Sequence, residues 1–287
     1  MRILTLFARH GTSKYPDALG ELLAFYRRCL PSVRRELLVI DNDFGSTGGP
    51  EGHPVIAGSN NIWEFSAWDE GLAHVGDAVH DFDFVHLVTS AFRTLYTRYI
   101  DRIDESLLER TRGRAVAIGH VDYYNEPVEI CSTQTQSWLR SSFVFVPPTE
   151  LKLMGRLGYV SDGSRFFSDD PQRPFRAGAP CSKNYQKYVL DWLTGPGTGQ
   201  GVTWHSRFII NLETLPYFKA KALAMLNEQL LSIRLRRQGC AIVDATWLAT
   251  YVTRVGRTAL LGPIPNWRCQ LAERDSDAVR LPSLVAE

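Results

Sequence analysis

Asn60-Asn61-Ile62-Trp63-Glu64-Phe65-Ser66-Ala67-Trp68-Asp69-Glu70-Gly71-Leu72 is the stretch whose reading decides the fold. It lies between two apolar runs of strand length, residues 37–40 and 82–88. From Phe65 onward the apolar residues Phe65, Trp68 and Leu72 recur at helical spacing. Ahead of them stand side chains that hydrogen-bond readily. Strand, polar loop, amphipathic helix and strand in succession build a crevice at the strand ends of an open α/β sheet. An ordinary loop that caps a helix has the same polarity. The pattern alone therefore leaves two readings open, the floor of a ligand site or a plain connection.

The same alternation continues outward. Residues 2–7 are a short apolar run that reads as a buried strand, followed by the loop Ala8-Arg9-His10-Gly11-Thr12-Ser13. Asp17 is placed to cap a helix over residues 18–30, where Leu19, Leu22, Leu23, Tyr26 and Leu30 share a face and Pro31 ends it. A strand over 36–40 then runs into Asp41-Asn42-Asp43, closing a βαβ unit whose strands should be parallel. Residues 44–54 form a loop rich in glycine (Gly45, Gly48, Gly49, Gly52), and 54–57 a short strand. After the central stretch the pattern predicts a helix to about residue 79, a strand over 82–88, a long helix over 92–108 and a strand over 114–118. A polar loop over 120–127 follows, then a strand over 143–146 and a helix from Thr149 to Gly155. Residues 161–182, rich in Asp, Ser, Arg, Pro and Gly, read as a long loop and a candidate lid. Beyond it come a helix over 184–193, a glycine-rich loop over 195–201, a strand over 203–210 and a helix over 212–238 stopped by Gly239. A strand over 240–243 and a helix over 247–255 complete the series. The expected architecture is α/β: one Rossmann-like domain over 1–255, its mostly parallel central sheet flanked by helices. An irregular tail over 256–287 carries Pro263, Pro265 and Pro282.

Composition narrows the function classes. With 44% apolar and 22% charged residues the 287-residue chain can bury a sizeable core. A net charge of +1, without a Lys/Arg block interleaved with aromatics, gives no reason to expect nucleic acid. Arginine far outnumbers lysine, which suits contacts with anions. Cys29, Cys131, Cys181, Cys240 and Cys269 are odd in number, widely spaced and free of any Cys-x-x-Cys. That argues for a reducing cytoplasm and against a zinc site or disulfide frame. No apolar run reaches membrane-spanning length, and the first residues do not read as a signal peptide.

Several residues have the chemistry for a site. Asp41 and Asp43 follow a strand's carboxyl end, where a carboxylate accepts from a ribose hydroxyl or a base N–H; both are also turn formers. Asp81-Phe82-Asp83 matches a metal-binding Asp-x-Asp as text, but it stands at a strand's entrance, away from the crevice, and reads as two solvated carboxylates. That strand's exit, Thr89-Ser90-Ala91, offers hydroxyls to phosphate oxygens. Glu228 on its helix is a candidate general base, although a lone helical Glu is ordinarily surface charge. The histidines (His10, His53, His74, His80, His86, His120, His205) lack ligand spacing, and His86 inside an apolar strand reads as a core residue. There is no Gly-x-Ser-x-Gly, Walker loop or Gly-x-Gly-x-x-Gly.

Taken together, these residues resemble a family. Residues 60–72 resemble the Asn-x-Gly-x-Asp-Phe-Gly-x-Trp-x-x-Gly-Leu stretch of bacterial rhamnan-synthesis-type glycosyltransferases, themselves similar to the large inverting family with the GT-A fold. Gln136-Ser137-Trp138 resembles that family's acceptor-side segment. Asn227-Glu228 through Gly239 resembles the helix that carries the catalytic base. The likeness covers roughly residues 1–245, and its first and last motifs are the specific ones. It implies a nucleotide-sugar donor beside Ala8, Arg9, Asp41 or Asp43, Asn61, Glu64 and Asp69. It further implies a diphosphate along Thr89 and Ser90, Glu228 as base with Asn227 as partner, and a glycan or lipid-linked glycan acceptor. Work at the cytoplasmic side, with peripheral contact to the inner membrane face, is the implied setting. Departures are Ile62 and Ser66 in place of glycine, Glu64 in place of Asp, and Leu230 in place of the helix motif's second Asp. Where the family keeps an acidic residue for Mn²⁺ or Mg²⁺, this chain has Val88, Thr89 or Ser90, so the usual carboxylate pair is not evident. Without a metal the leaving diphosphate needs cations, for which Arg9, Arg93 and one of Arg165, Arg173 and Arg176 are the candidates. A non-catalytic nucleotide-sugar binder or scaffold, and another α/β enzyme such as a methyltransferase or nucleotidyltransferase, are the rival readings.

Overall fold

The computed structural model describes residues 1–43, 52–94, 98–195, 207–256 and 261–274. Its centre is β1 (Arg2–Arg9), flanked in parallel register by β2 (Arg34–Asp41) on one side and β4 (Phe84–Thr89) on the other. β3 (Val55–Ala57) extends the sheet beyond β2. On the other side β8 (Phe143–Val146) runs antiparallel to both β4 and β5 (Val116–Gly119), and β9 (Ala241–Asp244) lies parallel to β5 at the far edge. The order β3-β2-β1-β4-β8-β5-β9 gives a mostly parallel seven-stranded sheet flanked by helices, a Rossmann-like α/β fold.

Both faces of the sheet are buried, so its strands read as nearly continuous apolar runs. Ile3, Phe7, Val39, Phe84 and Val88 point to the face covered by α1 (Ala18–Cys29), where Leu22, Phe25 and Tyr26 meet them. Leu4, Leu6, Leu38, Ile40 and Leu87 point to the opposite face, against α2 (Glu64–Val75) and α6 (Leu215–Arg237). Right-handed crossovers that run in opposite directions, from β1 to β2 and from β3 back to β4, put α1 and α2 on opposite faces. α2 approaches closely because Gly71 has no side chain: a Cβ there would meet Ile40 at 3.0 Å. Trp68 is fully buried and its indole N–H donates to the Leu6 carbonyl at 3.2 Å.

Several expectations need correction. The helix expected over 92–108 appears as a 3-10 turn, Ile100–Arg102, and a short α3 (Glu105–Thr111), with residues 95–97 outside the described set. Asp104, in extended conformation, accepts from the Leu107 N–H and starts a new helix there; a local cap outcompetes continuation. The loop expected over 120–127 is most of β6 (Val121–Ile130), which pairs with β7 (Thr133–Leu139) as a separate hairpin. Its polar composition reflects a solvent-facing stretch and a register irregularity between Tyr123 and Val128. The turn uses Cys131 and Ser132, both at positive φ and neither a usual choice there. Residues 207–210 take no regular structure, and 203–206 lie outside the described residues, as do most of the two glycine-rich loops. Asp17 makes no side-chain cap to α1. The expected irregular tail contains α8 (Trp267–Glu273), capped by Asn266 and docked through Gln270 to the Asp244 N–H and the Ile242 carbonyl. The remaining helices, α4 (Pro148–Met154), α5 (Lys183–Thr194) and α7 (Ala245–Val255), fall close to expectation. Among the described residues no helix is long and apolar enough to cross a membrane.

Trp68→Ala removes a fully buried ring and its hydrogen bond to the Leu6 carbonyl. The expected cost is about 3–5 kcal/mol, read from the urea midpoint at unchanged slope; a loss under about 1 kcal/mol would contradict the packing described.

Candidate functional site

The parallel strands β1, β2 and β4 end together, and the chain leaves each toward the same rim. There the sheet order reverses about β1, the position where open α/β sheets form their crevice. A cleft of ≈ 480 Å³ opens at that rim. One wall comes from the strand exits: Ala8, His10, Asn42, Thr89 and Ser90. The opposite wall comes from α6 and the β6–β7 hairpin, through Lys221, Glu228, Tyr124 and Trp138. Trp63 and Glu64, at the start of α2, also line it.

Two carboxylates from distant parts of the chain meet on one serine. Ser141 follows β7, where the chain crosses from the hairpin to the sheet. Its N–H donates to Glu228 Oε1 at 2.7 Å, and its hydroxyl lies 2.9 Å from the same oxygen and 3.1 Å from Glu64 Oε1. The Trp138 indole N–H donates to Glu228 Oε2 at 3.1 Å. A hydroxyl has one proton to give, so Ser141 serves one carboxylate fully and the other only if that one is protonated. Burial, and then the neighbouring Glu228 charge, push the Glu64 carboxyl up to about 7. Burial also raises Glu228, while Ser141 and Arg140 pull the other way. Below about pH 7 Glu64 keeps its proton and can donate it to Ser141, which leaves the Ser141 proton for Glu228 Oε1.

Around the pair the cleft is aromatic. Tyr124 packs on Trp138 with ring centres 4.4 Å apart and on Tyr188 at 4.8 Å, while Trp63 and Tyr217 face each other at 6.1 Å. The cations on its walls are Lys14, Lys221 and Arg140, with Arg140 also paired to Asp122 at 3.0 Å. Burial and the neighbouring Lys14 bring the Lys221 ammonium down to about 8.

The remaining sequence candidates divide clearly. Ala8, Glu64, Thr89, Ser90, Trp138 and Glu228 line the cleft. Asp41 does not: it is wholly buried, ion-paired to Arg9, and accepts the Asp43 N–H at 3.0 Å. Arg9 is spent on that pair. Asp43 accepts from the Gly11 N–H at 2.6 Å and meets His10 at 3.0 Å, shaping the loop that carries Lys14. Asn61 and Asp69 face a separate depression behind α2, where Asp69 accepts the Leu157 and Gly158 N–H groups at 2.6 and 3.0 Å. Gln136 binds the Tyr124 and Asn125 carbonyls, and Ser137 is buried against Arg236. Asn227 clamps Val160 through both its N–H and its carbonyl, at 3.0 Å each. Arg93 is ion-paired to Asp101, and Arg165, Arg173 and Arg176 line no part of the cleft, so the expected arginines do not supply it with charge. Lys14, Lys221, Arg140 and Ser141 were missed. The signal available was the helical stripe Tyr217, Lys221, Ala224, Glu228, whose polar members share a face.

A divalent metal does not fit these donors. The strand exit offers the neutral hydroxyls of Thr89 and Ser90, Asp41 is held by Arg9, and Glu64 and Glu228 are held by Ser141. Among the described residues no three His, Cys, Asp or Glu side chains gather as a ligand set. At the entrance of β4, Asp83 accepts from the Arg2 N–H at 2.7 Å and pairs with Arg112 at 2.8 Å, far from the cleft rim.

Arg9→Ala leaves the buried Asp41 charge unpaired and should cost about 3–5 kcal/mol by denaturant unfolding, with most of it recovered when Asp41 is also made Leu. The raised Glu64 carboxyl holds its proton more tightly in the folded chain than in the unfolded one. Its contribution to stability is therefore full below the ordinary value of 4.5 and is lost as pH rises through about 7. Glu64→Gln should flatten that fall in a pH series of melting temperatures, and superimposable slopes in both proteins would contradict the assignment. No family model matches the chain, and no curated protein or solved structure matches it either.

Proposed function

We propose that the chain is a GT-A-like glycosyltransferase that moves a sugar from a nucleotide-diphosphate donor to a hydroxyl of a bacterial surface glycan, with inversion. The observation that carries the reading is the meeting of Glu64 and Glu228 on Ser141, inside an aromatic cleft at the carboxyl ends of the parallel strands. Glu228 is the base. Its two oxygens are oriented by Ser141 and Trp138, so its carboxylate points into the cleft without freedom to turn. It takes the proton of the acceptor hydroxyl as that oxygen bonds to the anomeric carbon. The bond from that carbon to the donor's phosphate oxygen breaks on the opposite side, and the nucleoside diphosphate leaves with the electron pair. Tyr124, Trp138, Trp63 and Tyr217 suit the apolar faces of sugar rings and a nucleobase. Because Glu228 must be ionised, turnover rises with pH through its elevated pKa. A lipid-linked acceptor would bring the protein to the cytoplasmic face of a membrane.

A second reading rests on the poor metal site. A protein that binds the nucleotide sugar without turning it over, as a scaffold in glycan assembly, needs no metal carboxylate. Glu228→Gln separates the two. Transfer should fall by about 10²–10⁴-fold while the thermal shift produced by a nucleoside diphosphate is kept. A wild-type protein that is stabilised by nucleoside diphosphate yet turns over no nucleotide sugar with any glycan acceptor supports the scaffold. Stabilisation by S-adenosylmethionine in place of a nucleoside diphosphate would favour a methyltransferase.

A further inference from the structure

We propose that Lys14 and Lys221 form a metal-free clamp for the donor's diphosphate, an assignment that rests on the sugar-transfer reading and gives the leaving group its place. Lys14 comes from the loop between β1 and α1, and Lys221 from α6 on the facing wall; both line the same cleft. They are close enough that the charge on Lys14 disfavours the charge on Lys221, which is half-buried. Two ammonium groups facing one cavity repel each other, and an anion carrying two or more charges between them turns that repulsion into attraction. The Lys221 ammonium also lies 5.6 Å from the centre of the Tyr217 ring and that of Lys14 5.3 Å from the centre of the Tyr15 ring, so each charge rests over an aromatic face. Thr89 and Ser90 lie at the strand exit along the same cleft and add hydroxyl donors. His10 is a neighbour whose Nδ1 is taken by Asp43.

The spacing along α6 fixes which end of the cleft receives the anion. Lys221 and Glu228 are separated by two helical turns on one face, about 10 Å along the axis. Between them the small Ala224 leaves room at the wall. A phosphate beside Glu228 would face a carboxylate, whereas one beside Lys221 and Lys14 faces two cations. A sugar ring bridges that interval. Its anomeric carbon then sits between a leaving diphosphate on the lysine side and the base on the other, the arrangement a single displacement with inversion requires. The positive charge that a Mn²⁺ or Mg²⁺ ion would supply to the leaving group comes here from two side chains.

The test uses inorganic pyrophosphate as probe and the full chain, by titration calorimetry in excess EDTA. Saturable binding is expected in EDTA and should change by less than about twofold when Mn²⁺ replaces the chelator. Lys14→Ala and Lys221→Ala should each weaken it by about tenfold or more, and Lys221→Arg should stay within a few-fold of wild type. Far-UV circular dichroism and melting of each variant establish that the fold is kept. Pyrophosphate binding that appears only with Mn²⁺, or that survives both alanine substitutions in folded protein, overturns the clamp. Sugar transfer that proceeds only with Mn²⁺ also overturns it while leaving the transferase reading intact. Conversely, lysine-dependent binding in EDTA by a protein that transfers no sugar upholds the clamp and removes the transferase.

Discussion

β1 is buried on both faces, and much of the remaining architecture answers that constraint. Leu4 and Leu6 need a cover on one side, and Ile3 and Phe7 need one on the other. A chain with right-handed crossovers can supply both only by moving across the sheet in opposite directions, first from β1 through α1 to β2 and later from β3 through α2 back past β1 to β4. The strand ends on either side of β1 are then left without a helix above them, and a crevice follows from topology before any side chain is chosen. Thr5 shows how tightly the centre is specified. It is the polar residue within the strand's buried run, and its hydroxyl meets the Tyr26 hydroxyl at 2.6 Å, which in turn meets His86 Nδ1 at 2.8 Å. Burial holds His86 well below its ordinary pKa, so this histidine is a neutral member of the core.

The crevice becomes a site because a second layer is brought over it. The β6–β7 hairpin stands apart from the main sheet and packs on α6, where Ser232 accepts the Leu139 N–H at 2.8 Å and Arg236 reaches Ser137. The short link after β7 then returns to the sheet, with the Ser142 carbonyl accepting the Thr89 N–H at 3.2 Å. Ser141 is thereby fixed between the two layers. Its contacts bring Glu64 and Glu228 onto one hydroxyl, close enough that the Glu228 charge adds to burial in raising the Glu64 carboxyl. Lys221 sits farther out along α6 and Lys14 on the loop after β1, so the cleft runs from a cationic end to an acidic one. Electrostatic polarity of that kind orients a substrate that carries its own charge at one end only.

The sequence exposed those elements whose signal is local. β1, α1, β2, α2, α5, α6 and α7 follow from apolar periodicity and from the stops at Pro31 and Gly239, and the parallel pairing of β1 with β2 follows from the helix between them. The hairpin was not legible, because a strand wetted on one side and broken by Pro127 lacks the apolar run that marks the others, and its turn residues carry no turn signature. Of the site, Glu64, Thr89, Ser90, Trp138 and Glu228 were visible as motif or strand-exit residues. Asp41 and Asp69 fall outside the cleft for one reason: a carboxylate at a strand end or on an amphipathic helix also serves as an internal clamp, and spacing does not distinguish that use from ligand binding. Ser141 and the lysines depend on long-range packing of elements far apart in the chain, which no local window contains.

The segment ahead of α2 explains why the stretch is worth its conformational cost. Asn60 and Trp63 both hold positive φ, at 55° and 51°. For a residue as bulky as tryptophan this is an unfavourable region, costing on the order of 1–2 kcal/mol. The strain is held from below by Asn42, whose amide donates to Asn60 Oδ1 and to the Trp63 carbonyl, each at 3.2 Å. Asn42 itself can lie there because residue 58 is glycine; a Cβ at that position would fall 2.1 Å from Asn42 Oδ1. Ser66 completes the brace, accepting from the Ile62 N–H and donating to the Trp63 carbonyl at 2.9 Å. With the backbone so constrained, the Trp63 ring lines the cleft opposite Tyr217, and Glu64 begins α2 within reach of Ser141. A relaxed φ at Trp63 would rotate the chain entering α2 and separate Glu64 from Ser141 and Glu228. The strained residue thus sits next to the carboxyl that meets Ser141 in the cleft, which is where backbone strain has a structural use.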